Sequence, residues 1–131
     1  MFQVSKEEKE LLGHKAVEKV LSGLEEKETL NDLILEFDEG KTKEAKFAYF
    51  CDKLECDLQS RIYGELGCVD LKNQEGNNIM NNDIVKRLLN SGMSWSEMWL
   101  NFSQEVYHYD DNFKAVSDYV LTHKLIINTK K

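Results

Sequence analysis

Residues 44–59 read EAKFAYFCDKLECDLQ, and this stretch decides how the rest of the chain is interpreted. When its residues are placed at about 100° each around a helical wheel, the apolar side chains share one face. The pattern predicts a helix over about Lys43–Tyr63, with Lys53, Asp57 and Ser60 solvated on its far side. The side chains expected in the core are Phe47, Phe50, Cys51, Leu54, Leu58 and Ile62.

Polar side chains follow one shoulder of that apolar face, where a core gives way to a cleft or to the surface. Asp52, Glu55 and Gln59 occupy the shoulder at the i, i+3, i+7 spacing of a helix. Without further information, Asp52 is an ordinary helix-edge carboxylate paired with Lys or Arg. A carboxylate at such an edge needs a reason, which makes this shoulder the first candidate for a functional site.

Helix signals recur along the chain, which contains no proline. Ser5–Glu8 and Ser94–Glu97 have the capping-box form, in which a serine and the glutamate three residues later cap each other. Each box predicts the start of a helix. Between them, Thr29–Asp38 carries apolar residues on one side and is followed by Gly40 as a stop signal. We therefore predict an all-α fold.

The chain is expected to form a single helical domain over residues 1–131. Residues 68–82 are rich in Asn, contain Gly76 and predict a loop, and residues 83–131 predict additional helices. In that last part, Trp95 and Trp99 are spaced i, i+4. We expect this pair in the core rather than on a ligand platform.

Charge excludes several classes of partner. The chain has 131 residues and a net charge of −7, and residues 1–40 hold 5 basic against 11 acidic side chains. A chain without a basic stripe is a poor match for nucleic acid or for an anionic membrane surface. No apolar run has the roughly 20 residues of a membrane span, and the expected location is the cytoplasm.

Cys51, Cys56 and Cys68 have no CxxC spacing and no histidine pair beside them. This pattern argues against a disulfide framework and against a zinc site. We expect reduced thiols in the core, because free cysteine is usually buried.

The stretch 44–59 resembles the fourth metal-ligand helix of the HD superfamily of metal-dependent phosphohydrolases. The likeness is to the branch of nucleoside 5′-monophosphatases, whose motif reads approximately E-A-K-F-V-K-x-x-D-K-L-E-x-x-L-Q, and Asp52 falls on that family's last metal ligand. The resemblance extends over residues 5–67 and implies a helical bundle similar to the C-terminal part of an HD domain. It also implies a divalent metal ion, with Glu55 and Gln59 as candidates to hydrogen-bond and orient the ligand.

The same resemblance implies ligands that this chain lacks. Family members hold the ion with a first histidine, a contiguous His-Asp pair and the distant aspartate, whereas no His-Asp dipeptide occurs here. His14 does not replace them, because it lies in the segment that follows the pair in the family. A single carboxylate such as Asp52 cannot hold a divalent ion in place. We therefore expect no metal-dependent hydrolysis from this chain alone.

Three accounts of the chain follow from that expectation. It is a piece of a phosphohydrolase whose first helices are encoded upstream of Met1, or a partner subunit supplies the histidines, or it is a stand-alone helical interaction module without catalysis. In the first two accounts, a nucleoside monophosphate is the substrate once the site is complete. Without the missing N-terminal half, Phe47, Leu54 and Leu58 lack cover, and a homodimer is the expected solution.

Overall fold

The structure, a computed structural model, describes residues 5–126 and omits the side chain of Lys6. Within that range it contains α-helices, one 3-10 turn and no strand, which confirms the all-α prediction. None of the described helices is long and apolar enough to cross a membrane. The helices are α1 (Lys6–Leu21), α2 (Lys27–Glu39), α3 (Lys43–Glu65), α4 (Asp83–Asn90), α5 (Trp95–Tyr107) and α6 (Asp111–Thr122), and the 3-10 turn is Asn78–Asn81.

Helix ends follow the local signals in the sequence. In both predicted capping boxes, the serine hydroxyl accepts the glutamate N–H and the glutamate carboxylate accepts the serine N–H. These distances are 3.1 and 3.0 Å for Ser5–Glu8 and 3.4 and 2.8 Å for Ser94–Glu97. Gly40 ends α2 in the left-handed conformation, with a φ of 60°, as its position predicted.

The first of two compact units is Met1–Tyr49, which contains α1, α2 and the start of α3. Nε2 of His14 on α1 lies 3.2 Å from Oδ2 of Asp38 on α2. Among the described residues of this unit, Ala45 is the one buried apolar side chain. The unit therefore buries little apolar surface. Its large exposed apolar side chains include Leu11, Leu12, Val20, Leu24, Leu33, Leu35, Phe37 and Phe47.

The second unit is Phe50–Lys131, and its larger apolar cluster joins α4 to α5. Trp95 and Trp99 pack against this cluster with their ring centroids 5.9 Å apart, edge to face. Their position confirms the prediction that they belong to the core. The buried members of the cluster are Val85, Leu88, Met98 and Phe102.

A second cluster in the same unit joins α3 to the region around the start of α6. Leu54 of α3 is buried there with Tyr109 and Phe113. The ring of Phe50 meets both aromatic rings edge to face, with centroids 5.5 Å from Tyr109 and 5.3 Å from Phe113. This cluster determines which side of α3 is covered in this unit.

The predicted core face of α3 is only partly right. Leu54 is buried as expected of the core face, and because Tyr109 and Phe113 of the same chain cover it, the expectation that it lacks cover is wrong. Phe47, by contrast, is 61% exposed. The residues expected to be solvated deviate in the opposite direction, because Lys53 and Ser60 are half-buried and Asp57 is only 2% exposed. A helical wheel uses only the residues of one helix. It therefore cannot predict that hydroxyl groups from distant parts of the chain cover this side of α3. The other predicted core residues described as half-buried are Phe50, Leu58 and Ile62.

The prediction of buried cysteines is wrong. Cys51, Cys56 and Cys68 are free thiols, and all of them are exposed. Cys51 was expected on the buried face, but α3 turns a different side toward Tyr109. Cys68 follows the end of α3, at the start of the segment predicted as a loop.

Candidate functional site

Asp52 lies on α3 as an exposed, ion-paired carboxylate. Its Oδ2 atom is 2.7 Å from Nζ of Lys53, and its side chain is 54% exposed. The same ammonium group lies over the ring of Tyr107, 5.9 Å from the centroid. An exposed pair of this kind contributes at most about 1 kcal/mol to stability. Asp52 is therefore accessible from solvent, and its contacts do not bury it.

Glu55 and Gln59 lie along the same side of α3 as Asp52, because one helix carries all of them at the predicted spacing. Glu55 is exposed and Gln59 is half-buried. Among the described residues, no hydrogen bond recorded in the structure joins either side chain to Asp52. The negative charge of Glu55 acts on the neighbouring thiol of Cys56, whose pKa is raised first by partial burial and then by this charge. The role of Glu55 and Gln59 in orienting a metal ligand stays a prediction.

Asp57, also on α3, has an environment opposite to that of Asp52. Ser103 of α5 donates its hydroxyl hydrogen to Oδ1 at 2.8 Å, and the Tyr109 hydroxyl donates to Oδ2 at 3.0 Å. Asp57 is 2% exposed, and both of its partners are buried. We call Asp57, Ser103 and Tyr109 the buried carboxyl cluster.

Burial changes the acidity of both titratable groups in the buried carboxyl cluster. Removal from water raises the pKa of Asp57 to about 6, although the hydrogen bonds from Ser103 and Tyr109 oppose this rise. The pKa of Tyr109 is also raised, first by burial and then by the negative charge of Asp57. Burial thus makes both groups resist ionisation, and the negative charge of Asp57 adds to this effect for Tyr109.

Sequence reasoning missed this cluster and placed Asp57 in solvent. One signal was present on α5, where Ser96 and Ser103 interrupt an otherwise apolar face at the i, i+7 spacing. Both serines are buried. A hydroxyl on a buried face needs a partner, which is a reason to search the rest of the chain for a buried polar group.

Glu65, the last residue of α3, holds the chain that follows α6. Its oxygens accept the backbone N–H groups of Leu125, at 3.0 and 3.1 Å, and of Ile126, at 2.8 Å. Nε of Arg61 donates to the same carboxylate at 3.0 Å. The Ile126 N–H, followed by the Leu125 N–H and Arg61, holds the pKa of Glu65 below its usual value. This arrangement is a structural anchor made of charge-assisted hydrogen bonds.

Comparison with known proteins bears on the segment that contains Asp52. The family model of the HD domain matches residues 1–90, which is more than half of the chain. The chain belongs to the HD domain family. No curated protein and no solved structure matches it. The predicted resemblance to the HD superfamily is confirmed, and the match covers α1 to α4.

The part of this HD-domain chain beyond the match contains α5 and α6. Two members of the buried carboxyl cluster, Ser103 and Tyr109, belong to that part. The hydrogen bonds to Asp57 therefore connect a helix inside the family match with residues outside it.

Membership in the family implies a divalent metal ion, and the described residues do not fit one by themselves. Among residues 5–126, no three His, Cys, Asp or Glu side chains are grouped so that they could hold a metal. The nearest charged partner of Asp52 is the cation of Lys53. A hard divalent cation needs several oxygen or nitrogen ligands, so Asp52 alone does not form a site.

Proposed function

We propose that this HD-domain chain contributes Asp52 to a phosphohydrolase metal centre whose other ligands come from outside the chain, and that it releases no phosphate by itself. The observation that carries the proposal is the placement of Asp52. It lies within the family match and on an exposed part of α3, where groups from another polypeptide can reach it. The histidine and the His-Asp pair that would complete the centre are missing from the sequence.

The proposed substrate is a nucleoside 5′-monophosphate. Support comes from residues 44–59, which resemble the nucleoside monophosphatase branch of the family. The proposed location is the cytoplasm, where exposed free thiols such as those of Cys51 and Cys56 stay reduced.

The test begins with the coding sequence upstream of Met1. A histidine and a His-Asp pair are expected there, in frame or across one interruption, or else on a separately encoded partner. The joined or reconstituted protein is expected to release phosphate from a nucleoside monophosphate in the presence of Mn²⁺, whereas the chain alone is not. Asp52→Ala should abolish the activity, and the matched control Asp32→Ala, an exposed carboxylate on α2, should retain it. Activity of the chain alone, or an active complex that tolerates Asp52→Ala, contradicts the proposal.

A second candidate function is a non-catalytic association module that forms a homodimer. The observation that favours it is the first unit, where Ala45 is the one buried apolar side chain among the described residues and many larger ones are exposed. Exposed apolar side chains in this number favour an interface. A two-fold dimer allows the same surface to cover itself.

The charges on α1 and α2 favour one arrangement of this dimer. Lys15 and Lys19 lie on α1 and Glu28 and Asp32 on α2, and none of them is in an ion pair recorded between described residues. If α1 of one copy packs on α2 of the other, the basic and acidic groups face each other twice, and the apolar side chains between them are covered.

Light scattering at micromolar concentration tests this second function. If the chain forms the dimer, the unmodified protein has twice the mass of one chain. The double variant with Leu12→Glu and Leu33→Glu then has the mass of a monomer. Leu71→Glu, a matched change of an exposed leucine in the other unit, should remain dimeric. A strictly monomeric chain contradicts the dimer.

A further inference from the structure

The buried carboxyl cluster contains an ionisable group that has no cationic partner. Asp57 is 2% exposed, and its oxygens accept hydrogen bonds from two neutral hydroxyl groups, those of Ser103 and Tyr109. None of the ion pairs between described residues includes it. A buried carboxylate is normally paired with a cation, because transfer of a charge from water into the interior is unfavourable.

The side chains around Asp57 from the elements packed against it are uncharged. α5 contributes Ser103 and the segment before α6 contributes Tyr109, and α6 adds the uncharged ring of Phe113 against Tyr109. On α3 itself, the cations one turn away are engaged elsewhere. Lys53 pairs with Asp52, and Arg61 pairs with Glu65.

Hydroxyl partners suit this carboxyl group in both of its protonation states. Towards a carboxylate, Ser103 and Tyr109 donate hydrogen bonds, as the geometry shows. Towards a carboxylic acid, one hydroxyl oxygen can accept the new O–H while the other hydroxyl still donates. An ammonium or guanidinium group in the same place would suit only the ionised state.

We propose that Asp57, Ser103 and Tyr109 form a proton-dependent clasp, which holds α5 and the segment before α6 to α3 more tightly when Asp57 carries a proton. Loss of the proton leaves a buried negative charge with no cation beside it. The clasp is therefore strongest in mildly acidic solution and weakens toward neutral pH. Two of its three residues lie beyond the family match, so this device is independent of Asp52 and of the proposed metal centre.

The acidity of the group agrees with this direction. Burial raises the pKa of Asp57 from 3.8 to about 6, so the folded chain holds the proton more tightly than the unfolded chain does. Its contribution to stability is then complete below pH 3.8 and is lost as the pH rises through about 6.

The test measures urea unfolding of the full chain between pH 4.5 and 7.5. Both tryptophans, Trp95 and Trp99, lie on α5, so their fluorescence reports on the element that the clasp holds. The unfolding equilibrium constant is expected to rise roughly twentyfold across this range because of Asp57. Asp57→Asn should remove most of that rise, whereas the matched control Asp111→Asn, an exposed carboxylate on α6, should keep it.

A second measurement does not depend on any variant. The ¹³C signal of the Asp57 carboxyl carbon in the native chain should titrate with a midpoint near 6. A midpoint near 4, or a pH dependence of unfolding that Asp57→Asn leaves unchanged, overturns the proposal.

Discussion

Tyr109 donates its phenolic hydrogen to the carboxylate of Asp57 over 3.0 Å, although 52 positions separate the two residues in the chain. Both residues are buried, and Ser103 supplies the other hydrogen bond to the same carboxylate. Because Tyr109 and Ser103 lie beyond residue 90, this contact ties a helix of the HD domain match to the helices that follow it.

Removal of either hydroxyl should weaken this tie. Ser103→Ala or Tyr109→Phe leaves one oxygen of buried Asp57 without its donor, which costs about 1–3 kcal/mol of unfolding free energy. Urea unfolding at pH 7.5, followed by tryptophan fluorescence, measures the loss. Ser91→Ala and Tyr63→Phe are the matched controls, because the Ser91 hydroxyl donates to the Leu88 carbonyl and Tyr63 is exposed. Equal losses in the variants and the controls would show that the hydroxyls of the cluster contribute nothing specific.

Acid should weaken the fold through Glu97 in the second capping box. The hydroxyl and the backbone N–H of Ser94 donate to Glu97 and hold its pKa below 4.5. This stabilisation is present above pH 4.5 and is lost as the pH falls through the lower value in the folded chain. Glu97→Gln should therefore flatten the fall in stability below pH 4.5, measured by urea unfolding. Glu105→Gln, on the exposed surface of the same helix, should retain the full fall, and identical curves would refute this assignment.

Glu65 should control the segment that follows α6. Glu65→Ala removes the acceptor of the Leu125 and Ile126 N–H groups, so both amides should exchange with deuterium faster, by about an order of magnitude, since a protecting hydrogen bond is gone. Exchange measured by NMR tests this. Glu105→Ala, which removes the surface partner of Arg87, should leave these two amides unchanged. Unchanged exchange in Glu65→Ala would argue against the anchor.

The reactivity of the cysteines distinguishes the exposed thiols of the structure from the buried thiols that the sequence predicted. Native protein should react with a thiol reagent at Cys51, Cys56 and Cys68 without denaturant, because all of them are exposed. Glu55→Gln should speed the reaction at Cys56, since the charge of Glu55 helps to raise the pKa of that thiol. Glu44→Gln, an exposed glutamate near the start of α3, is the control. A native protein with protected thiols would contradict this assignment.

Local signals predicted the helices well, and non-local contacts explain what they missed. The capping boxes at Ser5 and Ser94 and the left-handed Gly40 were predicted correctly, because each depends on a few neighbouring residues. The burial of Asp57 depends on hydroxyls that lie 46 and 52 positions away, and no periodicity within α3 reports them. The exposure of Phe47 was missed for a related reason, since a wheel identifies an apolar face but not what covers it.

The candidate metal centre was predicted only as far as Asp52. Residue types and spacing placed it on one shoulder of α3, and the family match covers that segment. The sequence shows which ligands are absent, because a His-Asp dipeptide can be searched for directly. The periodicity of this chain carries no information on ligands that a partner or a flanking sequence would supply.

The most direct test of the central claim, that the chain offers one metal ligand and cannot hold the ion alone, is a calorimetric titration of the purified chain with Mn²⁺. The account predicts no stoichiometric binding, and heats for the unmodified chain that match those for Asp52→Ala and Asp32→Ala. Binding of one Mn²⁺ per chain that is lost in Asp52→Ala and kept in Asp32→Ala would contradict it.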